Sequence, residues 1–461
     1  MNSPEDKASF IITISDSHVL EKKYILHIFF HDFLNVEYSI DVSETIDGYY
    51  VEGKDEKFLL PDIFFKKVFK KDLEKEPEVH EIMYGRSRDE KLPAWFTTED
   101  QASYLLKADI IGMAFFLLSG YADIKYSKRD DLERDIGNSS FVVRKLLIDR
   151  PIIQEWFLVL GELLLPKKDF QNLKNRKFSL SVTHDVDQPY EYLAYNSQRF
   201  LKRIVGDLLR RRSLQIAITR LQGYINKLRK RYKRDPYNNF QELIELLEKY
   251  GVKSSFFFVA SDNKHPQDVK YKIEHPAISE ILKFVNEKGH KIGIHPSFFT
   301  FRNPEKLKEE IQRLSKVLGD LDIDQSVISS RKHYLRWDWL QTPLILSEAG
   351  ITDDYTVGYP DRTGFRVGVT FPYSAFCWNS KKALPLKIHP LCVMECSLTH
   401  KRYMGLTYNE AELKVSEYAD LIKKIGGEYV VLWHNHVLIN KEELNLFSKV
   451  LDTAYTRSDI T

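Results

Sequence analysis

The chain is poor in cysteine, and its three cysteines, Cys377, Cys392 and Cys396, leave one thiol over in any pairing scheme. A count this low and odd argues against a disulfide framework and predicts a reducing compartment. Cys392 and Cys396 have a spacing that could supply half of a structural zinc site. No second Cys pair or Cys/His pair of suitable spacing stands beside them, so we do not expect such a site.

The chain also lacks a long apolar run. Its longest apolar stretch, near Ile110–Leu118, is well short of the ~20 residues that a membrane-spanning helix needs. The polar N-terminus has no apolar segment typical of a signal peptide. We therefore expect a cytoplasmic protein, peripheral at most to the inner face of the membrane. The formal net charge of only +2 indicates no partner at the level of the whole chain.

The chain does have length. Its 461 residues exceed one ordinary hydrophobic core and predict two domains. A polar segment at residues 166–177 suggests a boundary between an accessory α/β domain (1–170) and a second domain (171–461). In the second domain, apolar strands alternate with helical patterns. This alternation predicts parallel strands with crossover helices, for which a barrel is the natural closed form.

A strongly basic segment, Arg199 to Arg234, forms a predicted helical insertion at about residues 197–235. Apolar residues recur in it at helical spacing, so the predicted helices are amphipathic. One interpretation is docking on anionic lipid headgroups or on an acidic glycan. The other is a solvated insertion that covers the barrel wall. We do not expect nucleic-acid binding, because no base-reading motif accompanies the charge.

The densest group of ligand-type side chains follows an apolar strand that begins at Phe178. His184, Asp185 and Asp187 crowd at its carboxyl end, which is the edge where parallel α/β folds bind ligands. The Asp-x-Asp spacing on an extended segment points both carboxylates to the same side. One carboxylate could therefore bind a metal while the other stays free as a base.

Three later segments place possible partners at predicted strand ends: His295; the loop residues Arg331, His333, Tyr334 and Arg336; and the pair His434 and His436. A carboxylate with one or more imidazoles is a normal ligand set for zinc or another divalent ion. A second carboxylate could deprotonate an activated water. An arginine could orient this base, and a late histidine could protonate a leaving group.

These segments, in this order, resemble the signature of the polysaccharide deacetylase superfamily (NodB-homology, carbohydrate esterase 4-like). The matching stretches are Thr183–Asp187, Gly289–Ser297, Arg331–Tyr334 and Leu432–His434. The resemblance is to a subgroup with an extra N-terminal domain, associated with cell-surface polysaccharide assembly. It implies a distorted (β/α)7-type barrel preceded by a smaller α/β domain.

The resemblance also implies roles for single residues. Asp185 would be the base, and Asp187 and His295 would bind the metal, with zinc as the expected ion. Arg331 would orient the base, and His434 would be the general acid. The implied function is removal of an N-acyl group, expected to be N-acetyl, from a sugar of a polysaccharide or a lipid-linked glycan precursor. The alternative is a catalytically impaired, deacetylase-like protein that binds glycan or acts as a scaffold in polysaccharide biosynthesis.

One position departs from the signature. The second histidine expected four residues after His295 is Phe299. Another histidine could replace it, the candidates being His184, His290, His333 and His436. Otherwise the site would bind metal weakly or not at all. We expect a structural role for His290.

A polar, glycine-punctuated loop at residues 353–366 is the last candidate segment. The resemblance implies that this loop borders the site, and the alternative is an ordinary surface loop. The complete set predicted to contact the substrate is Tyr334, Arg336, Asp354, Arg366, His184 and His436.

Overall fold

A computed structural model describes the chain over residues 9–54, 56–69, 75–84, 90–99, 104–174, 176–192, 197–209, 214–262 and 265–455. The strands are β1 Ser9–Ser15, β2 Glu37–Ser43, β3 Tyr49–Glu52, β4 Lys57–Leu60, β5 His80–Tyr84, β6 Glu90–Ala94, β7 Phe178–Val186, β8 Ser255–Phe258, β9 Lys291–Ile294, β10 Ser329–Ser330, β11 Asp353–Asp354, β12 Tyr373–Cys377, β13 Lys382–Ile388, β14 Leu391–Met394 and β15 Gly427–Leu432.

The helices are α1 Val19–Leu26, α2 Ile110–Leu118, α3 Tyr121–Tyr126, α4 Phe141–Arg144, α5 Ile152–Leu164, α6 Lys167–Lys174, α7 Ser197–Leu209, α8 Leu214–Leu228, α9 Phe240–Lys249, α10 Pro276–Glu287, α11 Pro304–Asp320, α12 Thr342–Glu348, α13 Glu395–Thr399, α14 Tyr408–Ile425 and α15 Lys441–Tyr455. Among the described residues, no helix is both long and apolar enough to span a bilayer.

The N-terminal part is built on a four-stranded sheet in the order β2-β1-β3-β4. In β1, Phe10, Ile12 and Ile14 are buried while Ile11 is exposed, as the alternation of a half-buried strand requires. Helix α2 is apolar on every side, and all its residues are buried. The Asp109 carboxylate caps this helix by accepting a hydrogen bond of 2.8 Å from the Gly112 N–H.

The candidate site lies on a second, nine-stranded sheet in the order β12-β13-β11-β10-β9-β8-β7-β15-β14. All its strand pairs are parallel except β12 with β13. Helices follow most of the parallel strands, as the alternating pattern predicts. The architecture is thus mixed α/β. The implied count of seven strands is not confirmed, because this sheet has nine strands in the described part of the chain.

The nine-stranded sheet curls into a half-barrel, and the contacts of His389 demonstrate its curvature. Its Nδ1 lies 2.7 Å from Oε2 of Glu428 on β15. Its Nε2 lies 3.0 Å from Oδ1 of Asp353 on β11. Four strands separate β11 from β15 in the sheet order, so one imidazole can bridge them only if the sheet is strongly curved.

The segment expected to be a polar linker contains helix α6. Phe170 and Leu173 are buried on it, three positions apart, so one face packs although the segment is mostly polar. The hydrophobic core also continues across this segment. The Tyr24 hydroxyl, for example, donates a hydrogen bond of 2.9 Å to the carbonyl of Ser374. The boundary near residue 170 therefore stays a prediction.

Candidate metal centre

Asp187 stands one residue beyond the carboxyl end of β7, and two imidazoles converge on it. Its Oδ1 lies 3.4 Å from Nε2 of His295 and 3.6 Å from Nε2 of His333. One ligand atom from each of the three residues lies within 4.8 Å of the others. One carboxylate oxygen and two imidazole nitrogens form a common protein ligand set for a divalent ion.

The ring of His295 is held in the orientation that a metal ligand needs. This residue directly follows β9, which pairs with β8 beside β7. Its Nδ1 lies 2.5 Å from the carbonyl oxygen of Arg331. A carbonyl only accepts hydrogen bonds, so Nδ1 carries a hydrogen, and Nε2 is the ring nitrogen left to bind a metal beside Asp187.

His333 is the histidine that joins Asp187 and His295 in this cluster, one of the candidates to replace the histidine missing at position 299. It lies in a short 3-10 turn after β10, where both Tyr334 and Leu335 have positive φ angles. Its Nδ1 lies 3.8 Å from Oδ1 of Asp268. Phe299, by contrast, is 45% exposed and contacts the ring of His265.

The other histidines considered as replacements do not pair with Asp187 in the described part of the chain. His184, His290 and His436 make no hydrogen bond or ion pair with it in the described part of the chain. His290 accepts a hydrogen bond of 3.0 Å from the Ser254 N–H. This contact agrees with the structural role expected for His290.

The cluster has an unsatisfied acceptor that a cation would fit. Asp187 Oδ1 is buried and has no hydrogen-bond partner among the described residues, although two ring nitrogens face it. Burial opposes the charge of Asp187, but the nearby imidazoles of His333 and His295 outweigh burial and hold its pKa well below the usual value. Burial also opposes the charge of His333, yet Asp187 and Asp268 raise its pKa to about 9. A divalent ion could replace the additional proton of the His333 imidazole and hold Asp187, His295 and His333 together.

Asp185 lies beside the ligand set and is held by an arginine. Its Oδ2 is 3.7 Å from Nε2 of His295, and its Oδ1 is 3.3 Å from Nη1 of Arg331. Arg331 is fully buried. Its guanidinium also donates to Thr183 Oγ1 at 2.6 Å and to the Tyr355 carbonyl at 3.0 Å. Contacts with β7 and with the residue that follows β11 therefore fix this arginine, which presents one fixed charge to Asp185.

Asp354 supports the loop that carries Arg331, His333, Tyr334 and Arg336. This loop, the arginine loop, rests on the Asp354 side chain. It is fully buried, and its Oδ2 accepts a hydrogen bond of 2.5 Å from Ser330 Oγ. Its Oδ1 accepts from the Thr356 N–H at 2.8 Å, and Thr356 Oγ1 in turn accepts from the Lys332 N–H at 2.9 Å. Burial raises the pKa of Asp354. These contacts give Asp354 a positioning role, whereas the sequence predicted a pocket-lining one.

His434, just beyond β15, reaches the other oxygen of Asp187. Its Nε2 is 3.7 Å from Asp187 Oδ2, and its Nδ1 is 2.5 Å from Oε1 of Glu395. Burial opposes the imidazolium charge, but Glu395 outweighs it and raises the pKa of His434 to about 10. Sequence reasoning missed Glu395. Its position directly after β14 was the available signal, since the carboxyl ends of parallel strands meet at one edge.

A cavity of about 870 Å³ lies next to Glu395, the partner of His434, and is lined by residues of α13, of the start of α14 and of the turn before α15. Among the described residues, three of its buried polar atoms have no hydrogen-bond partner: Oε2 of Glu395, Oε2 of Glu443 and Nδ1 of His436. Buried polar atoms are normally satisfied, so this wall is suited to a polar ligand. His436 lines this cavity, and the substrate contact expected of it stays a prediction.

Tyr334 and Arg336 lie on the rim formed by the arginine loop. The Tyr334 hydroxyl donates to the Gln267 carbonyl at 3.1 Å. The guanidinium of Arg336 stacks 3.9 Å from the ring centre of Phe298 and pairs with Glu133 at 2.9 Å. Arg336 is largely buried by these contacts. Any part that either residue takes in substrate binding stays a prediction.

His184 and Arg366 were predicted to contact substrate, but both lie among other groups of the protein. His184 is fully buried, its Nδ1 lies 2.8 Å from the Trp433 carbonyl, and burial lowers its pKa to about 3. The alternation along β7 turns it away from Asp185, against Phe447 of α15. Arg366 pairs with Asp123 at 2.8 Å and with Asp135 at 2.5 Å. Both carboxylates belong to the N-terminal part, so Arg366 joins the two parts of the chain.

Comparisons with known proteins match parts of this chain. Residues 10–169, less than half of the chain, match a family described as being of unknown function (DUF7033). A comparison with curated proteins finds no match. A solved structure from Mycobacterium smegmatis, assigned as a polysaccharide deacetylase, aligns at 14% identity and a TM-score of 0.41 over 62% of this chain and 86% of that one.

Two further solved structures align less well. One, from Pseudomonas aeruginosa PAO1, carries the same assignment, and the other is Puue allantoinase. Each has 11% identity and a TM-score of 0.37, over 61% of this chain and 85% of its own. Identities and scores this low transfer no function to this chain.

Proposed function

We propose that this protein is a metal-dependent hydrolase that removes an N-acyl group, expected to be N-acetyl, from a sugar of a polysaccharide or its lipid-linked precursor. One observation carries the proposal. Asp187, His295 and His333 converge as a ligand set, while Asp185 and His434 approach the same set with a candidate base and a candidate acid. Amide hydrolysis needs a proton acceptor and a proton donor in this arrangement.

Zinc or a similar divalent ion, held by Asp187, His295 and His333, would supply Lewis acidity toward the attacking water and the acyl oxygen. The residues of the chain account for the proton transfers. Asp185 would take the proton of the attacking water, and Arg331 would orient its carboxylate. His434, held by Glu395, would give a proton to the amine as the C–N bond breaks.

The cavity lined by Glu395 and His436 supports a sugar as the substrate. Its volume of about 870 Å³ exceeds that of one sugar ring, so neighbouring units of a glycan would fit. The unpartnered oxygens of Glu395 and Glu443 would accept hydrogen bonds from sugar hydroxyls. Tyr408, which also lines the cavity, would provide an apolar ring face.

Metal analysis and acetate release together test the proposal. Protein purified with added zinc should hold about one ion per chain and should release acetate from N-acetylated glycans. Asp185→Asn should keep the metal and lose acetate release, since it removes the base and leaves the ligands intact. His80→Ala, an exposed histidine on β5, is the matched control and should change neither property. A metal-free protein that still binds glycan would instead support the scaffold alternative.

A further inference from the structure

The basic insertion is the strongest feature that the proposed activity does not use. Residues 197–234 contain thirteen Lys or Arg and a single acidic residue, Asp207. The whole chain carries a net charge of only +2, so the remaining sequence is acidic on balance. A positive charge this concentrated points to an anionic partner.

Helices α7 and α8, the helical pair, also expose large apolar side chains. Leu201, Val205 and Leu209 are 61%, 44% and 73% exposed, and their spacing places them on one face of α7. On α8, Ile218, Leu221 and Leu228 are exposed as well. These six account for nearly a third of the exposed large apolar residues that the structure describes. Apolar residues gathered in this way mark an interaction surface.

The base of the helical pair is fixed to the half-barrel. The buried carboxylate of Asp235 accepts hydrogen bonds from the N–H groups of Glu191, Tyr192 and Tyr237, at 2.8, 3.0 and 3.0 Å. One side chain thus joins the two ends of the insertion. Gly223 of α8 lies so close to Tyr192 that a Cβ atom there would stand 2.0 Å from the tyrosine ring.

This base also contacts the candidate metal centre. Asn435, next to His434, is fully buried. Its side-chain N–H groups donate to the Gln188 carbonyl at 3.1 Å and to the Tyr237 carbonyl at 3.0 Å. Gln188 directly follows Asp187, and Tyr237 closes the insertion. The helical pair therefore rises from the same edge of the sheet as the candidate site.

We infer that the helical pair docks this protein on an anionic lipid bilayer. Its leucines and valine would enter the boundary between headgroups and acyl chains, and the basic side chains would contact lipid phosphates. Lys202, Arg229, Lys230 and Arg231 are exposed beside the apolar residues. Combined with the proposed function, which this step assumes, docking would hold the candidate site near glycan substrates carried on a lipid.

Other occupants fit the surface less well. A symmetric contact with a second copy would bring two strongly basic segments together, and like charges repel. Nucleic acids and acidic glycans would use the positive charge, but they would leave the exposed leucines without a role. A charged surface with an apolar interior satisfies both parts of the face.

Vesicle flotation in the absence of substrate tests the inference. The protein should float with vesicles of phosphatidylcholine that contain phosphatidylglycerol, should not float with pure phosphatidylcholine, and should lose binding as salt rises. Arg229→Gln with Lys230→Gln and Arg231→Gln should weaken binding on the order of 100-fold, because each basic residue near an anionic surface contributes roughly fivefold. Leu201→Ser with Leu209→Ser should weaken binding roughly tenfold for each side chain.

Matched controls use similar residues elsewhere. Leu413→Ser removes a leucine that is 65% exposed on α14, and Lys283→Gln with Lys308→Gln and Lys316→Gln removes three exposed charges from α10 and α11. Neither control should alter binding. Binding that ignores the phosphatidylglycerol content, or that survives both test variants, would overturn the inference. So would a dimer that Leu201→Ser dissociates, or RNA binding with no vesicle binding.

A failure of docking can be told apart from a failure of the proposed activity. The Asp185→Asn protein should float as well as the unaltered protein, because Asp185 is buried at the candidate centre and not on the helical pair. Normal flotation without acetate release would contradict only the hydrolase proposal. Acetate release from soluble glycan without flotation would contradict only the docking inference.

Discussion

Nε2 of His333 lies 3.6 Å from Oδ1 of Asp187, so the third possible ligand of the cluster comes from the arginine loop and not from the strand that carries His295. The position where a second histidine was expected, in a 3-10 turn after β9, holds the exposed Phe299. Arg331 and His333 are two residues apart in one loop. A single loop could therefore position the charge that holds Asp185 and complete the ligand set.

His333→Ala should abolish stoichiometric metal binding. Loss of one imidazole leaves two of the three ligand atoms, and the affinity should fall by more than the ~10- to 100-fold typical of losing an outer partner. Metal content after dialysis and a zinc titration measure this effect. Phe299→His is the informative companion, because its side chain is exposed beside His265 and should neither add metal nor rescue His333→Ala. Rescue by Phe299→His would contradict the assignment.

Glu395→Gln should slow acetate release without removing the metal. Glu395 accepts from Nδ1 of His434, so its loss removes the group that keeps this imidazole charged and oriented. The pKa of His434 should fall from about 10 toward its ordinary value near 6.5, and the alkaline limit of activity should move to lower pH. The pH profile of kcat measures the shift. An unchanged profile would rule out His434 as the proton donor.

Some parts of the site were readable from the sequence and others were not. Asp187 and His295 could be expected to meet because both follow parallel strands, whose carboxyl ends share one edge. The position of His333 depends on positive φ angles at Tyr334 and Leu335, and neither residue type signals such a turn.

Contacts between residues that are distant in sequence could not be predicted in the same way. Arg366 was expected to contact substrate because the resemblance implies that its loop borders the site. Asp123 and Asp135 lie more than two hundred positions earlier and meet it only through the packing of the two parts. Helix α6 was not predicted because its segment is mostly polar. Its buried face depends on only two apolar residues, Phe170 and Leu173.

His389 should make the stability of the half-barrel depend on pH. Burial opposes its charge, but Asp353 and Glu428 raise its pKa in the folded state to about 9, above the ordinary value near 6.5. This contribution is fully present below pH 6.5 and is lost as the pH rises through 9. Its upper limit is about 3 kcal/mol. Urea unfolding at pH 6 and pH 9.5 measures the loss, which His389→Gln should largely remove.

Arg366→Met should weaken the packing of the N-terminal part against the half-barrel. The change leaves Asp123 and Asp135 buried near each other without Arg366, although Arg129 still pairs with Asp135 at 3.2 Å, and breaking a buried ion pair in this way costs about 3–5 kcal/mol. The cost comes mainly from the two carboxylates that lose Arg366. Adding Asp123→Asn and Asp135→Asn to Arg366→Met should therefore recover much of the lost free energy of unfolding, measured with urea at pH 7. If the triple variant were less stable than Arg366→Met alone, the guanidinium's hydrogen bond to the Gly358 carbonyl and its stacking on Tyr359 would be the larger contributions.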